Sequence, residues 1–548
     1  MSRAVVLLSA IALLGLSNAT AAEKKAEAEG GIIKPVSAEV LAALKQGDNL
    51  PQSKSFMARR RAEIKSDRYY PIYHYANKPN RLHDPNGFCV KDGVYHLFYQ
   101  SRPYWGHAYS RDMVHWRDLP QAFGPSDGAQ ACYSGAVLVE EDRAIALYPA
   151  RGFGMRAAVS TDPALLHWSK ISPKSLGFSF GGNKNYYADS FIWKEEDGYH
   201  ALVTGGRELK EFPNAPFRTA PRVFRSQDLL NWEYVGCLLP ENEKLTEYGD
   251  DPSCSYFLPI GKDKHILITF SHARGPQYML GDYDKEKHLF TPYARYRFNR
   301  AEGVGNGVAH APSAISDGKG GVYLIHSTTT SPGLGQQIMT LPMHLTLDKL
   351  NRLRIEPVET LKSARKQEGH VRIENRDLPA NKEIVFDEIK GDAMEIYAVV
   401  QPGKGYGAIR ICVLRSPDKR EYVAATYYSG CGMRGTSPVL ARQAPKYRFG
   451  GFWSDHFALD TTHSAVRADC KVHPPEVTTL DVADDEPLRV RIFVDRSVVE
   501  VFVQEKRWLM MRVYPALADS KGVSIESIGN NAKILSLDAW QMKNVYEE

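Results

Sequence analysis

Several features that mark particular protein classes are scarce in this 548-residue sequence. Seven cysteines are too few for a small disulfide-stapled fold, and neither a CxxC nor an HExxH pattern occurs, so a zinc site has no support and we expect no metal. The 69 basic and 64 acidic residues nearly balance, which gives no reason to expect nucleic acid as a partner. Beyond the N-terminus no apolar run approaches the ~18 residues of a membrane-spanning helix.

The remaining composition is that of a globular protein with more than one domain. Hydrophobic residues make up 43% of the chain and charged residues 24%, which excludes a disordered or fibrous protein. Aromatic residues reach 11%, including 29 tyrosines, and this suits a β-rich core or a carbohydrate site.

The first 22 residues predict a signal peptide. Arg3 precedes the apolar stretch Ala4–Leu16, and Ala19–Ala21 has the small-x-small pattern of a cleavage site. The alternative is an uncleaved membrane anchor. We therefore expect a secreted or periplasmic protein with no membrane span after cleavage.

Residues 23–66 predict a helical extension. Ser37 is a candidate N-cap, Val40 and Leu44 share one face with Leu41, and the helix should end near Gly47. The basic run at 59–61 is expected to be a solvated helix face.

The most informative feature is a fivefold repeat of an acidic or glycine turn followed by an apolar strand. The copies are Asp92–Tyr99 (DGVYHLFY), Asp142–Tyr148 (DRAIALY), Asp197–Val203 (DGYHALV), Asp263–Ile268 (DKHILI) and Gly320–Ile325 (GGVYLI). In three copies a Ser-x-Asp turn follows and leads to Trp116, Trp168 or Trp232. Each unit predicts a small antiparallel sheet, which cannot bury both of its faces alone. Radial packing of five sheets solves this, so residues 67–365 predict a five-bladed β-propeller; a tandem of separate β-domains is the alternative.

Beyond the repeats the sequence becomes polar, and residues 362–381 predict a linker. Strands with alternating polarity then return, which predicts a β-sandwich over residues 378–548. The predicted strands are Met394–Val400, Ala408–Leu414, Tyr422–Tyr428, Leu488–Val494, Val498–Val503 and Trp508–Val513. Cys412, Cys431 and Cys470 lie in this region and could include a disulfide pair. The expected fold is thus all-β, with a short helical N-terminal extension.

The repeat also locates a candidate site. Asp84 and Asp189 each lie nine residues before the second residue of their repeat, so they should occupy equivalent places on two innermost strands. Tyr133 and Ser134 hold the corresponding position in the second repeat, and the pair at 250–251 precedes the fourth. Carboxylates that lie close together repel one another, so a protein keeps such a cluster only where function requires it. Glycosidic bond cleavage needs such a pair.

At these residues the sequence resembles glycoside hydrolase family 32, the β-fructofuranosidases, inulinases and levanases. Six motifs occur in the family's order: His83–Gly87 (HDPNG), Tyr95–Gln100 (YHLFYQ), Trp105–Trp116 (WGHAYSRDMVHW), Tyr133–Val137 (YSGAV), Thr340–Leu347 (TLPMHLTL) and Asp495–Phe502 (DRSVVEVF). The resemblance covers about residues 70–545. It implies a propeller followed by a sandwich, in agreement with the repeats.

The resemblance implies roles for individual residues. Asp84 would be the nucleophile and Asp189 the transition-state stabiliser, and no cofactor would be required. The residues implied as sugar contacts are His83, Asn86, Gln100, Trp105, Tyr133 and Ser134. From the residues alone, Trp105 could equally be a core side chain.

The sequence departs from the family in the substrate pocket. Ala188 stands where the family has an Arg, and Ser253 stands where it has the acid/base Glu. The nearest replacements for the acid are Asp251 and Asp250, followed by Glu247. Of these, Asp251 is expected to share the strand face of Ser253.

The leading hypothesis is an exported retaining glycosidase that cleaves β-fructofuranosidic bonds in sucrose or fructans. The first alternative is a related five-bladed glycosidase that acts on arabinose or xylose polymers, which the change at Ala188 keeps open. The second is a carbohydrate-binding protein that has lost its acid/base.

Overall fold

The computed structural model describes residues 38–547, except for 47–49, 78–81, 179–187, 205–220, 241–244, 246–249, 273, 299–307, 329–336, 431–454, 470–472, 481 and 484. The predicted signal peptide and the candidate acid Glu247 lie outside the described residues. No helix in the described part of the chain has the length and apolar character needed to cross a membrane.

The N-terminal part of the fold consists of five four-stranded antiparallel sheets, each with its strands in chain order. The strands are β1 (Pro85–Lys91), β2 (Val94–Ser101), β3 (Tyr104–Ser110), β4 (Arg117–Phe123), β5 (Ala136–Val139), β6 (Ala144–Ala150), β7 (Gly154–Ser160), β8 (Ser169–Lys170), β9 (Asp189–Glu195), β10 (Gly198–Thr204), β11 (Arg222–Ser226), β12 (Glu233–Cys237), β13 (Ser253–Ile260), β14 (Lys264–Ser271), β15 (Gly275–Asp284), β16 (Leu289–Arg297), β17 (Ala309–Ser316), β18 (Val322–Thr328), β19 (Met343–Leu347) and β20 (Leu353–Pro357). The first strand of every sheet contacts the first strands of both neighbouring sheets, and β17 contacts β1. This closed ring is a five-bladed propeller, as predicted.

The residues in the turns explain why the strands of each blade form antiparallel hairpins. In the turn from β1 to β2, Asp92 and Gly93 both have positive φ (51° and 78°), the geometry of a tight hairpin that Asp-Gly favours. In the Ser-x-Asp turn after β3, Asp112 accepts backbone hydrogen bonds from Val114 and His115, both at 2.9 Å. Asp162 and Asp228 cap their turns in the same way.

The C-terminal part is a sandwich of two six-stranded sheets, with strand orders β21-β32-β23-β28-β29-β30 and β22-β31-β24-β25-β26-β27. The strands are β21 (Val371–Leu378), β22 (Lys382–Lys390), β23 (Ala393–Gln401), β24 (Gly407–Arg415), β25 (Val423–Ser429), β26 (Asp455–Asp460), β27 (Glu476–Leu480), β28 (Leu488–Asp495), β29 (Val498–Val503), β30 (Arg507–Arg512), β31 (Gly522–Ile528) and β32 (Ala532–Gln541). All six predicted strands are present. Their alternate apolar residues form a core of their own.

The predicted linker is instead largely ordered structure. A 3₁₀ helix occupies Glu359–Ala364, and β21 pairs with β32 at the edge of one sandwich sheet. Most side chains of β21 are exposed or half-buried, so its sequence is polar although its backbone is paired. Polarity alone therefore gave a wrong boundary, because an edge strand needs few apolar residues.

A buried ionic cluster joins the propeller to the sandwich. Asp495, at the end of β28, accepts hydrogen bonds from the backbone N–H groups of Ile72, Tyr73 and His74 and from the His74 ring, all at 2.8–2.9 Å. The other ring nitrogen of His74 lies 3.1 Å from a carboxylate oxygen of Glu500. The family motif Asp495–Phe502 therefore lies at the interface between propeller and sandwich, where Asp495 and Glu500 bind the segment Ile72–His74.

Two helices precede the propeller: α1 (Ala38–Gln46) and α2 (Pro51–Ser66). Leu44 of α1 packs against the first blade, and α2 contacts β4. The expectation of a solvated basic face is wrong for Arg60, which is 3% exposed and pairs with Asp118 at 2.5 Å. A buried cation with a carboxylate partner is a fixed contact between helix and blade.

Cys412 is a buried free thiol. Cys431 and Cys470 lie outside the described residues.

Candidate active site

The centre of the site is Asp84, which directly precedes β1 at the inner ring of strands. Its Oδ2 atom accepts hydrogen bonds from Gln100 Nε2 and Ser134 Oγ, both at 2.9 Å. Its Oδ1 atom lies 3.1 Å from His310 Nδ1, in β17 of the fifth blade. Groups from three blades thus hold this carboxylate in one orientation.

The surroundings of Asp84 favour its charged form. Burial would raise the pKa of the carboxyl, but the hydrogen bonds and charge of His310, the hydrogen bond from Ser134 and the nearby His83 lower it to about 2. At neutral pH Asp84 is therefore an ionised carboxylate with a fixed position, which is what a nucleophile requires.

Asp189, the first residue of β9, has the opposite character. Burial and the negative charge of Asp84 raise its pKa to about 6. One oxygen accepts a hydrogen bond from the backbone N–H of Cys254 at 3.1 Å. The negative charge of Asp84 acts on Asp189 although the two residues lie 105 positions apart in the sequence, since each stands at the start of an innermost strand of its blade. Environments that push two carboxyl pKa values apart are typical of glycosidase sites.

Asp250 is the centre of a buried ion pair. It is 3% exposed, and its Oδ2 atom lies 2.6 Å from a guanidinium nitrogen of Arg295. Its Oδ1 atom accepts a hydrogen bond from Gln277 at 3.1 Å and lies 3.5 Å from Arg274. Both oxygens are thus occupied by donors, which is an unsuitable arrangement for the candidate acid that the sequence suggested.

Asp251 lies against the loop after β14. Its Oδ1 atom accepts hydrogen bonds from Ser271 Oγ at 3.1 Å and from the backbone N–H of His272 at 2.8 Å. Its Oδ2 atom is 2.6 Å from Nδ1 of the His272 ring. Asp251 is therefore arranged as an acceptor that fixes a histidine, and not as a free proton donor.

Four of the six expected sugar contacts are buried. Gln100 and Ser134 contact Asp84 directly but are 2% and 3% exposed, so they position the carboxylate. Asn86 and Trp105 are completely buried, and the Trp105 indole donates to the Tyr133 carbonyl at 3.0 Å. Trp105 is thus a core side chain, which is the alternative to a sugar contact that the sequence left open.

His83 and Tyr133 remain partly exposed. The guanidinium of Arg102 lies over the Tyr133 ring, 5.3 Å from its centroid. These two residues are the predicted contacts whose side chains can reach a bound ligand.

Two residues near Asp84 were missed by the sequence analysis: His272 and His310. Their rings lie 6.1 Å apart, and both contact Phe270. His310 lies near the start of the innermost strand of its blade, as Asp84 does, so the repeat could have identified it. No local pattern marks His272, because its proximity depends on the loop after β14.

A possible metal-ligating group lies away from this site. Glu195, His200 and His288 place ligand atoms within 4.8 Å of one another. Glu195 ends β9 and Asp189 begins it, so about 20 Å separates the group from the carboxylates at ~3.3 Å per residue.

Comparison with known proteins identifies the family. Residues 74–357 match the N-terminal domain of glycosyl hydrolases family 32, and residues 358–541 match the C-terminal domain of the same family. The chain belongs to glycosyl hydrolase family 32. It is therefore a glycosidase, and the division between the two matched regions coincides with the end of the propeller.

Known relatives match the enzyme over most of its length. A beta-fructofuranosidase, insoluble isoenzyme, of Arabidopsis thaliana is 23% identical over 88% of the enzyme and 93% of that protein. A fructan 6-exohydrolase of Beta vulgaris is 25% identical over 87% of each chain. The crystal structure of fructan 1-exohydrolase IIa from Cichorium intybus has a TM-score of 0.72 at 20% identity, covering 87% of the enzyme and 98% of that chain. That likeness shows the shared fold.

Proposed function

We propose that the enzyme hydrolyses β-fructofuranosidic bonds in sucrose or fructans. The observation that carries the proposal is the Asp84 carboxylate at the inner ring of strands, which Gln100, Ser134 and His310 hold from three blades. The environments of Asp84 and Asp189, which lower the pKa of the first carboxyl and raise that of the second, are consistent with it. The names of the relatives, beta-fructofuranosidase and fructan 6-exohydrolase, support the substrate class.

The mechanism assigned here is a double displacement with retention of configuration. Asp84 attacks the anomeric carbon of the fructosyl group and forms an ester, while an acid protonates the departing oxygen. Water then attacks the anomeric carbon of the ester, the same acid/base takes one proton of the water, and the bond to the Asp84 carboxylate breaks. Gln100, Ser134 and His310 hold Asp84 in the orientation for attack.

Asp189 stabilises the transition state. Asp189 begins the innermost strand of its blade, as Asp84 directly precedes that of the first blade, and a sugar bound between them would donate hydroxyl hydrogen bonds to the Asp189 oxygens. Positive charge developing on the fructosyl ring relieves the repulsion between the two carboxylates. The interaction is thus stronger in the transition state than in the ground state.

Export is part of the proposal. The N-terminal pattern with Arg3, Ala4–Leu16 and Ala19–Ala21 supports a cleaved signal peptide and a secreted or periplasmic enzyme. Mass spectrometry of the mature protein tests this, with an N-terminus at Ala22 or Glu23 as the expected result. A chain that retains Ala4–Leu16 contradicts it.

A substrate screen with sucrose, inulin, levan and arabinan tests the reaction. Release of fructose from at least one of the first three is expected, and release of arabinose alone would show the arabinan-type alternative. In the presence of methanol, retention requires methyl β-fructofuranoside as the transfer product. Asp84→Asn serves as the inactive control.

A carbohydrate-binding protein without catalysis is the second candidate. The observation that favours it is Ser253 at the position of the family's acid/base Glu. Fructan binding by calorimetry without any sugar release would establish this candidate.

A further inference from the structure

We propose that His272 is the proton donor of the reaction and that Asp251 acts through it as a positioning residue. The inference rests on the proposed fructosidase function and identifies the group that replaces the missing glutamate. It assigns the acid/base role to an imidazole in place of a carboxyl group.

The residues near the vacated glutamate position are poorly suited to the role. Ser253 carries a hydroxyl that donates to the Asp251 carbonyl at 3.2 Å, and an aliphatic hydroxyl is far too weak an acid. Asp250 is bound by Arg295 and Gln277. Cys254 is buried, and burial raises the pKa of its thiol well above the ordinary value.

His272 has the geometry of a donor that is held at one end and free at the other. Asp251 receives its Nδ1–H at 2.6 Å and its backbone N–H at 2.8 Å, so both the ring and the loop are fixed to one carboxylate. The tautomer follows from this network, because a carboxylate accepts at Nδ1 and leaves Nε2 for another partner. The side chain is 54% exposed, and Nε2 makes no hydrogen bond within the described chain.

The position of His272 matches the role. Its ring centroid lies 6.1 Å from that of His310, and Nδ1 of His310 is 3.1 Å from Asp84. The imidazole therefore borders the space in front of the nucleophile. Phe270 packs between the two histidines, 5.2 Å from the His272 ring and 4.1 Å from the His310 ring.

The charges that face His272 favour its protonated form. The ionisable neighbours are Asp251 on its own side, Asp189 and Asp84 across the site, and His310 beside it. The hydrogen bond to Asp251 raises the pKa of His272 above its ordinary value, burial opposes the rise, and the negative charges of Asp251, Asp189 and Asp84 add to it. The direction of this shift favours the imidazolium, the form that a general acid must hold before the first step.

The proton balance of the two steps is complete. In the first step the Nε2–H proton moves to the glycosidic oxygen as the bond to the anomeric carbon breaks, and the ring becomes neutral. In the second step Nε2 accepts a proton from the attacking water, whose oxygen bonds to the anomeric carbon, and the imidazolium is restored. Asp251 remains hydrogen-bonded to Nδ1 throughout.

The dependence on the leaving group tests the inference. In His272→Gln, hydrolysis of the best natural substrate should fall about 10²- to 10⁴-fold, the usual contribution of general acid–base catalysis. Fructosyl transfer from a nitrophenyl β-fructofuranoside should fall about tenfold or less, since this leaving group needs little protonation. Azide should accelerate turnover of the aryl substrate in the variant and yield a fructosyl azide.

His167→Gln is the matched control. His167 is also 54% exposed and pairs with an aspartate, Asp162, at 3.0 Å, but it caps an outer turn of the second blade. Its replacement should leave both substrates and the azide response unchanged. Equal losses in the two variants would show a structural effect and would overturn the inference.

The pH profile separates His272 from Asp251. Asp251→Asn removes the carboxylate that contributes most to the raised pKa of His272, so the pKa should fall. The alkaline limb of kcat/KM should therefore move to lower pH, while activity at acidic pH is largely kept. If Asp251 donates the proton itself, Asp251→Asn abolishes activity on sugar leaving groups and His272→Gln does not, which overturns the inference. An inactive wild type on every fructoside would instead reject the proposed function.

Discussion

Two histidine–carboxylate pairs in this enzyme have nearly the same chemistry and opposite settings. At the interface between propeller and sandwich, His74 is 1% exposed and both ring nitrogens are bound by carboxylates, Asp495 and Glu500. At the mouth of the site, His272 binds Asp251 through one nitrogen and is 54% exposed. A histidine with both ring nitrogens bound by carboxylates holds the two domains together. A histidine with one ring nitrogen exposed to the substrate space can transfer a proton.

The same contrast applies to the carboxylates. Asp495 accepts three backbone N–H groups and an imidazole, so its charge is fully compensated. Burial and the negative charge of Asp84 instead raise the pKa of Asp189 to about 6. The hydrogen bonds of Asp495 stabilise the fold. The ionised form of Asp189 destabilises the fold, and we attribute this to its role in catalysis.

The largest effect is expected at the nucleophile. Asp84→Asn keeps the shape of the side chain but cannot form the fructosyl ester, so kcat/KM should fall by at least about 10⁴-fold. Steady-state assays on the best substrate give the loss, and thermal unfolding should show a native transition. Near-native activity in a folded variant would remove Asp84 from the mechanism.

The interface histidine should control stability instead of activity. His74→Ala leaves Asp495 and Glu500 without a shared partner, and breaking a buried pair in this way costs about 3–5 kcal/mol. Urea unfolding measures the loss. His115→Ala is the control, since the 2.7 Å pair of His115 with Asp112 is partly exposed and should contribute at most about 1 kcal/mol.

The pH dependence of stability sharpens this result. Burial would lower the pKa of His74, but the hydrogen bonds and charges of Asp495 and Glu500 raise it to about 9. A raised pKa means that this stabilisation is complete below pH ~6.5, the ordinary value, and is lost as the pH rises through about 9. The loss should be absent from His74→Ala; an identical alkaline decline in both proteins would contradict the assignment.

Replacing Asp189 should stabilise the fold while it destroys activity. The pKa of Asp189 is raised from 3.8 to about 6, so its favourable contribution is complete below pH 3.8 and is lost as the pH rises through about 6. Asp189→Asn should therefore raise the unfolding free energy by up to about 3 kcal/mol at pH 7. Its advantage over the wild type should shrink toward pH 4. A variant less stable than the wild type at pH 7 would argue against repulsion between the two carboxyls.

The smallest effect is expected from the side chains that orient Asp84. Gln100→Ala removes one charge-assisted hydrogen bond, worth about 1.5–3 kcal/mol, and should lower kcat about 10- to 100-fold with little change in KM. A larger change in KM than in kcat would show that Gln100 contacts the sugar, as its family resemblance implied.

The architecture could be predicted because its signals are local. Each hairpin carries its own turn residues, such as Asp92 and Gly93, and each strand carries its own alternation. The internal repeat singled out Asp84 and Asp189 for the same reason: each lies nine residues before the second residue of its repeat. The polar edge strand Val371–Leu378 escaped prediction, since its pairing with β32 leaves most of its side chains in solvent.

The sequence by itself thus determined the five blades and the sandwich strands. Only the tertiary structure decided that Arg60 and Trp105 are buried, that Asp250 pairs with Arg295, and that His310 contacts Asp84 with the His272 ring nearby. Arg60 of α2 contacts the first blade and His310 of the fifth blade contacts Asp84 of the first, while Asp250 and Arg295 belong to one blade but lie 45 residues apart in the sequence. The packing of strands and blades in the closed propeller sets the distances between these side chains. The alternation of residues within one strand says nothing about which distant side chain will lie opposite them.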